Sequence, residues 1–223
     1  MSDALQKTVA EFLRDKTLVS GLGTDESPCS IAAINLALTG KLTDSVPECM
    51  SLVIGKTILV LQDAMPDAMR NSDAWRTLLP LAAGSGRQHE AQRLAVLLDW
   101  MWSVALPEVQ PVAEANGFGG EWAHMCSQKS AGSAKVAAWA ASEAAEQVTS
   151  EKARAARAAD QNFWDRVDVP ELLRRMIEAP EDKECVRHSF NCRKLLQRWG
   201  GYRPACSLRT SNCAMRTSAC VNW

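Results

Sequence analysis

The apolar runs of this chain are short, recur at three- and four-residue intervals, and are closed by proline or glycine. That punctuation restricts the fold more than any other feature, because each run makes a helix of a few turns and then stops. Residues 3–15 place Leu5, Val9, Phe12 and Leu13 on one helical face. The polar loop SGLGTDESP follows, in which Ser27 and Pro28 make an N-cap and first-turn pair for CSIAAINLALT. Gly40 supplies the C-terminal stop. KLTDSVPECMSLVIGKTILVLQDAMP repeats the device: Asp44 or Ser45 caps, Pro47 opens the first turn, and Pro66 ends the segment. The run ILVL would suit a strand by itself, and Gly55 weakens a helix. The caps, and Met50, Val53, Ile54, Thr57, Ile58 and Leu61 at helical spacing, predict a helix.

Ser72 caps the next segment, which buries Trp75, Leu78 and Leu79 and is kinked or restarted at Pro80. Residues 87–105 carry the widest apolar stripe: Leu94, Leu97, Leu98, Met101, Trp102 and Ala105, interrupted at Pro107. PEVQPVAEANGFGG gives a short helix and a glycine turn, and EWAHMCSQ adds another turn or two. From Ser133 the chain becomes Ala-rich and charge-flanked, which predicts a long helix with a thin apolar face. Asp168 then caps VPELLRRMIEAP, with Leu172, Leu173, Met176 and Ile177 inward. With many Ala, eight Trp and little period-two alternation, the chain reads as all-α. The expected architecture is a compact multi-helix bundle of seven or eight helices over residues 3–179, centred on the Trp-bearing helix 87–105.

Three regions follow: a helical core, 1–130; the Ala-rich helix with the short amphipathic helix packed on that core, 131–180; and a basic, Cys-rich tail, 181–223, expected to be weakly ordered. The overall charge of −1 conceals an asymmetry. Residues 185–223 hold seven of the 25 basic residues and no acid, leaving 18 basic against 26 acidic residues in 1–184. The tail also holds five of the eight Cys. Its composition suits either a basic interaction segment or an out-of-frame extension. The longest apolar run, LAVLLDWMWSVAL, is broken by Asp99 and falls short of the roughly 20 residues of a membrane span. The charged amphipathic start is unlike a secretory signal, so the expected location is the cytoplasm, away from the membrane.

The motifs CSIAAINLALTGKLTD, QDAMPDAMRNS, LLPLAAGSGR, LLDWMW and NGFGGEW, followed by an Ala/Arg/Trp-rich segment and FWDRVDVPELLRRMIE, resemble an uncharacterised family of helical proteins from phage, prophage and bacterial genomes. The resemblance covers roughly residues 23–179 and stops at Cys185. It implies a phage-associated helical protein, in the host cytoplasm if phage-encoded, and brings no activity, ligand or catalytic residue.

Candidate chemistry is sparse. Cys29 stands where a helix begins, and helix starts favour thiolates. A thiol nucleophile needs a base, and His89 and His124 are the body's imidazoles. Yet Cys29 aligns with Ala32, Ala33 and Leu36, an apolar face in which a free Cys is an ordinary buried residue. GSGR, 84–87, precedes a helix but lacks the strand and Lys-Ser/Thr of a phosphate loop, and reads as a helix stop and restart. Cys185, His188 and Cys192 have spacings that zinc could use, without the two close ligand pairs of a structural site. Asp99, inside the most apolar helix, calls for a partner, with Arg87, Arg93 or a Trp N–H in view. Trp139 and Trp164, with Arg154 and Arg157, are the candidate interaction residues of the Ala-rich segment.

The resulting expectation is a non-enzymatic accessory protein, without cofactor, acting on a protein partner or as a homo-oligomer. A nucleic-acid-binding regulator using the basic tail and a cysteine-dependent enzyme built on Cys29 are the alternatives.

Overall fold

The computed structural model describes residues 2–146 and 163–179. The protein is all-α: among the described residues the sole extended pairing is an isolated antiparallel bridge between Gly23 and Pro28. In chain order the helices are α1 (Ser2–Leu13), α2 (Ser30–Thr39), α3 (Leu52–Ala64), α4 (Asp67–Arg70), α5 (Asp73–Arg76), α6 (Leu78–Ala83) and α7 (Glu90–Trp100). A π-helical turn, Met101–Ala105, leads into α8 (Leu106–Glu108). There follow α9 (Gln110–Asn116), α10 (Gly119–Gln128), α11 (Ala131–Glu146), α12 (Phe163–Arg166) and α13 (Val169–Ile177). No helix among the described residues is long and apolar enough to cross a membrane.

ILVL lies inside α3, not in a strand. Gly55 is there because the chain comes close: a Cβ on it would stand 2.4 Å from Val46 Cγ1. The starts of α2 and α3 lie further along the chain than the proline positions predict. Pro28 is held extended, its carbonyl accepting from Val19 N–H at 3.2 Å, so Cys29 is the N-cap of α2. Ser51 caps α3, because residues 43–50 first cross the end of α2: Asn35 Nδ2 donates to the carbonyls of Thr43 and Ser45 at 2.7 and 2.8 Å. The caps Gly40, Ser72 and Asp168 stand where the spacing put them. The π-turn answers Pro107. Proline has no N–H for the Ser103 carbonyl and crowds it, and the preceding Leu106 N–H reaches back five residues to Met101 O.

The centre of the core differs from expectation. The fully buried side chains Ile31, Ile34, Ile54, Ile58, Trp75, Leu79, Leu172, Leu173 and Met176 come from α2, α3, α5, α6 and α13. In α7 only Arg93 and Trp100 are buried, while Leu94 and Leu97, with Met101 of the π-turn, are half-covered at the core's edge. The α7 helix packs on α3 and α13, whereas α2, slim through Ala32 and Ala33, packs on α1, α3 and α6. The α13 helix packs on α3, α6 and α7, whereas α11 packs on α9 and α10 through Ser133 and Ala137.

Candidate functional site

Cys29 occupies the N-cap of α2. Its backbone N–H donates to Leu22 O at 3.0 Å, and its Sγ accepts the Ala32 N–H at 3.3 Å, so the side chain serves as an N-cap. The residue is 0 % exposed. Burial pushes the thiol up from its ordinary range, outweighing the amides of Ala32 and Ile31 and the Gln62 side chain, which favour the thiolate. Next to it Ser30 N–H donates to Gln62 Oε1 at 2.7 Å, and Trp75 Nε1 donates to Ser30 Oγ at 3.2 Å. These bonds lock α2, α3 and α5 together. His89 stands half-buried before α7 with φ 60°, and His124 is exposed on α10; neither is among the groups that shift the thiol. The arrangement can cap and fill; it holds the sulfur as a neutral thiol.

A second polar cluster absorbs the GSGR motif. Glu90, in the first turn of α7, reaches the start of α3: its carboxylate accepts from Ser51 Oγ at 2.9 Å, Leu52 N–H at 2.8 Å and Val53 N–H at 3.0 Å. The positive end of α3 is thus met by the protein's own anion. Ser85 Oγ accepts Ser51 N–H at 3.0 Å, and Gly86 N–H donates to Cys49 O at 2.9 Å. Buried Arg93 gathers the loop, donating to the carbonyls of Ser85, Gly86 and Gln88 at 2.7–2.9 Å. Burial lowers its pKa, and the nearby Glu90 charge partly offsets this.

Other helix ends are closed by polar side chains whose roles sequence reading missed. Buried Arg70 donates to Gln62 O at 2.7 Å and Met65 O at 2.8 Å, and pairs with Asp67. Arg76 donates to Lys16 O at 2.7 Å and to Leu13 O, ending α1. Asn71 exchanges two bonds with the Leu18 backbone, at 2.8 and 2.9 Å. Basic residues near helix ends were the available signal for Arg70, but Arg76 acts on a helix more than sixty residues away.

The remaining candidates separate. Asp99 is exposed and faces Arg175 of α13 at 3.4 Å, not Arg87, Arg93 or an indole; the helix edge that carries it is the edge on which α13 lies. Trp164 is half-buried against the core and meets Phe163 edge-to-face at 5.1 Å. Trp139 is the opposite case, 69 % exposed on α11, with Val136 one turn before it at 53 %. Arg154, Arg157, Cys185, His188 and Cys192 lie outside the described residues. Among the described residues no three His, Cys, Asp or Glu gather as a metal site. A shallow groove of about 580 Å³ between α1 and α5–α6 is lined by Lys7, Arg14, Asp73 and Arg76, in mixed charge, with Arg76 already bonded to carbonyls.

Comparison of the chain with protein-family models, with curated proteins and with solved structures found no match.

Proposed function

We propose that the protein is a non-enzymatic accessory factor acting through protein–protein contacts, in the phage or prophage setting that residues 23–179 resemble. The observation that carries the reading is the outer face of α11. Trp139 and Val136 stand exposed one turn apart on a helix whose opposite face, Ser133 and Ala137, is buried. A tryptophan left largely in water on an ordered helix is the residue type that most often anchors a protein interface. The thiol that would head an enzymatic reading is enclosed and kept neutral, and the GSGR loop that resembled a phosphate cradle is tied to the protein itself, Gly86 N–H to Cys49 O and the Ser85 and Gly86 carbonyls to Arg93.

A photo-cross-linking residue placed at position 139 tests this in expressing cells. A discrete adduct is expected from position 139 and none from position 124, which is exposed on α10. No adduct at 139, or the same adducts from both positions, would refute the contact surface.

A further inference from the structure

We infer that α9–α11 form a flap that opens as a unit while the core stays folded, with the indole of Trp122 as its clasp. This holds whether or not α11 meets a partner. The ground for it is where the buried side chains lie. Among the described residues, the core and the apolar side chains packed on it stop at Ala105, the end of the π-turn, and resume at Phe163; residues 106–146 contribute none. The buried apolar residues in between, Ala113, Phe118, Met125 and Ala137, belong to a second, smaller core shared by α9, α10 and α11. Those three helices pack on one another, and their other principal neighbour is α8. Phe118 meets Trp122 edge-to-face at 6.0 Å, and Gln110 Nε2 donates to Gly119 O at 3.0 Å. A Cβ on Gly119 would stand 2.6 Å from Glu114 Cγ, so α9 and α10 close tightly on each other.

Size decides which part opens first. The smaller core holds two large buried side chains, Phe118 and Met125, beside two alanines, whereas the main core encloses Trp75, Ile54, Leu79, Leu172 and Met176 among others. Apolar stabilisation scales with the area buried, so opening α9–α11 costs far less than unfolding the core. The polar link that opposes opening is Trp122 Nε1, which donates to Leu106 O at 2.7 Å and ties α10 to α8. The Arg166–Glu108 pair holds α8 to α12 and braces the stationary side.

The test is native-state hydrogen exchange of the full chain with reductant present, read by peptide mass spectrometry. Amides of α9–α11 are expected to exchange together, about a hundredfold or more faster than those of α2, α3 and α13. W122F keeps a ring and drops the N–H; it should speed exchange in α9–α11 about fivefold and leave α2, α3 and α13 unchanged. M125A should speed it more than about tenfold, again in α9–α11 alone. If M125A unfolds α9–α11 outright while the core amides keep their native protection, the unit is separate all the same. L173A should speed exchange in the core and leave α9–α11 as they were. Amides of α9–α11 protected as strongly as those of α2, or M125A accelerating both regions equally, would overturn the separate flap. W122F without effect on α9–α11, against a clear effect of M125A, would overturn Trp122 as the clasp.

Discussion

Two side chains show how a helix start can be closed without becoming a reactive site. At Cys29 the amide of Ala32 that would stabilise a thiolate also ties the sulfur inside the core, and burial wins. Native-state alkylation followed by peptide mass spectrometry should therefore find Cys29 modified only on unfolding, well after half-buried Cys126. Equal rates would contradict the enclosed thiol. The linkage has a definite sign: a thiol whose pKa is raised by folding binds its proton more tightly in the native state. Its contribution is intact below the unfolded pKa and is lost as pH rises beyond it. Denaturation midpoints should fall through the alkaline range and fall less steeply in C29A, which should itself cost about 1 kcal/mol through the lost cap. At Glu90, one carboxylate serves three donors on α3. E90A should cost about 2 kcal/mol, because the donors stay at a partly buried helix end, and E90Q about half as much. Urea titration checks both; equal losses would mean that the charge contributes nothing there.

The elements were legible where their signals were local. Gly40, Ser72 and Asp168 act on amides or carbonyls within four residues, so spacing alone located them. The starts of α2 and α3 were misplaced because tertiary partners decide them: the Gly23–Pro28 bridge delays one, and the passage across α2 delays the other. Hydrophobicity also misled. The most apolar segment, 94–106, looked like the centre, yet burial requires neighbours on every side, and slim α2 has them. Trp139 and Trp164 were both candidate interaction residues, and packing separates them: Trp139 stands exposed while Trp164 lies against the core. Two substitutions probe how far element geometry is fixed by neighbours. G55A adds the best helix former but drives its Cβ into Val46, so it should destabilise by about 1–3 kcal/mol despite propensity. K129G removes a side chain from the left-handed C-cap of α10, φ 49°, and should stabilise by about 0.5–1 kcal/mol. Thermal unfolding reads both, and a stabilising G55A would mean that Val46 moves aside freely.

The core of the described residues is closed by α13. The α2 helix packs on α1, α3 and α6, and α1 on α6, but one side of that group is covered by α13, which lies on α3, α6 and α7. Asp168 starts α13 by accepting Glu171 N–H at 2.9 Å, and Val169, Leu172, Leu173 and Met176 are then wholly inside. Burying such side chains is worth roughly 1.5–3 kcal/mol each, about 6–12 kcal/mol for four, which matches the entire stability of an ordinary domain. The polar links point the same way: Arg175 meets Asp99 across the α7 edge, and Arg166 meets Glu108 beside the π-turn. Both are exposed pairs that orient more than they stabilise. A chain ending at Arg166 should therefore lose cooperative unfolding, giving a broad thermal transition and binding of a hydrophobic dye, even though α1–α7 are all present. L173A, which leaves the helix in place, should instead keep a sharp transition and lose about 2–5 kcal/mol. If the chain ending at Arg166 melted as sharply as the full protein, α13 would be an ornament on a core complete without it, and the closure argued from Leu172, Leu173 and Met176 would be wrong.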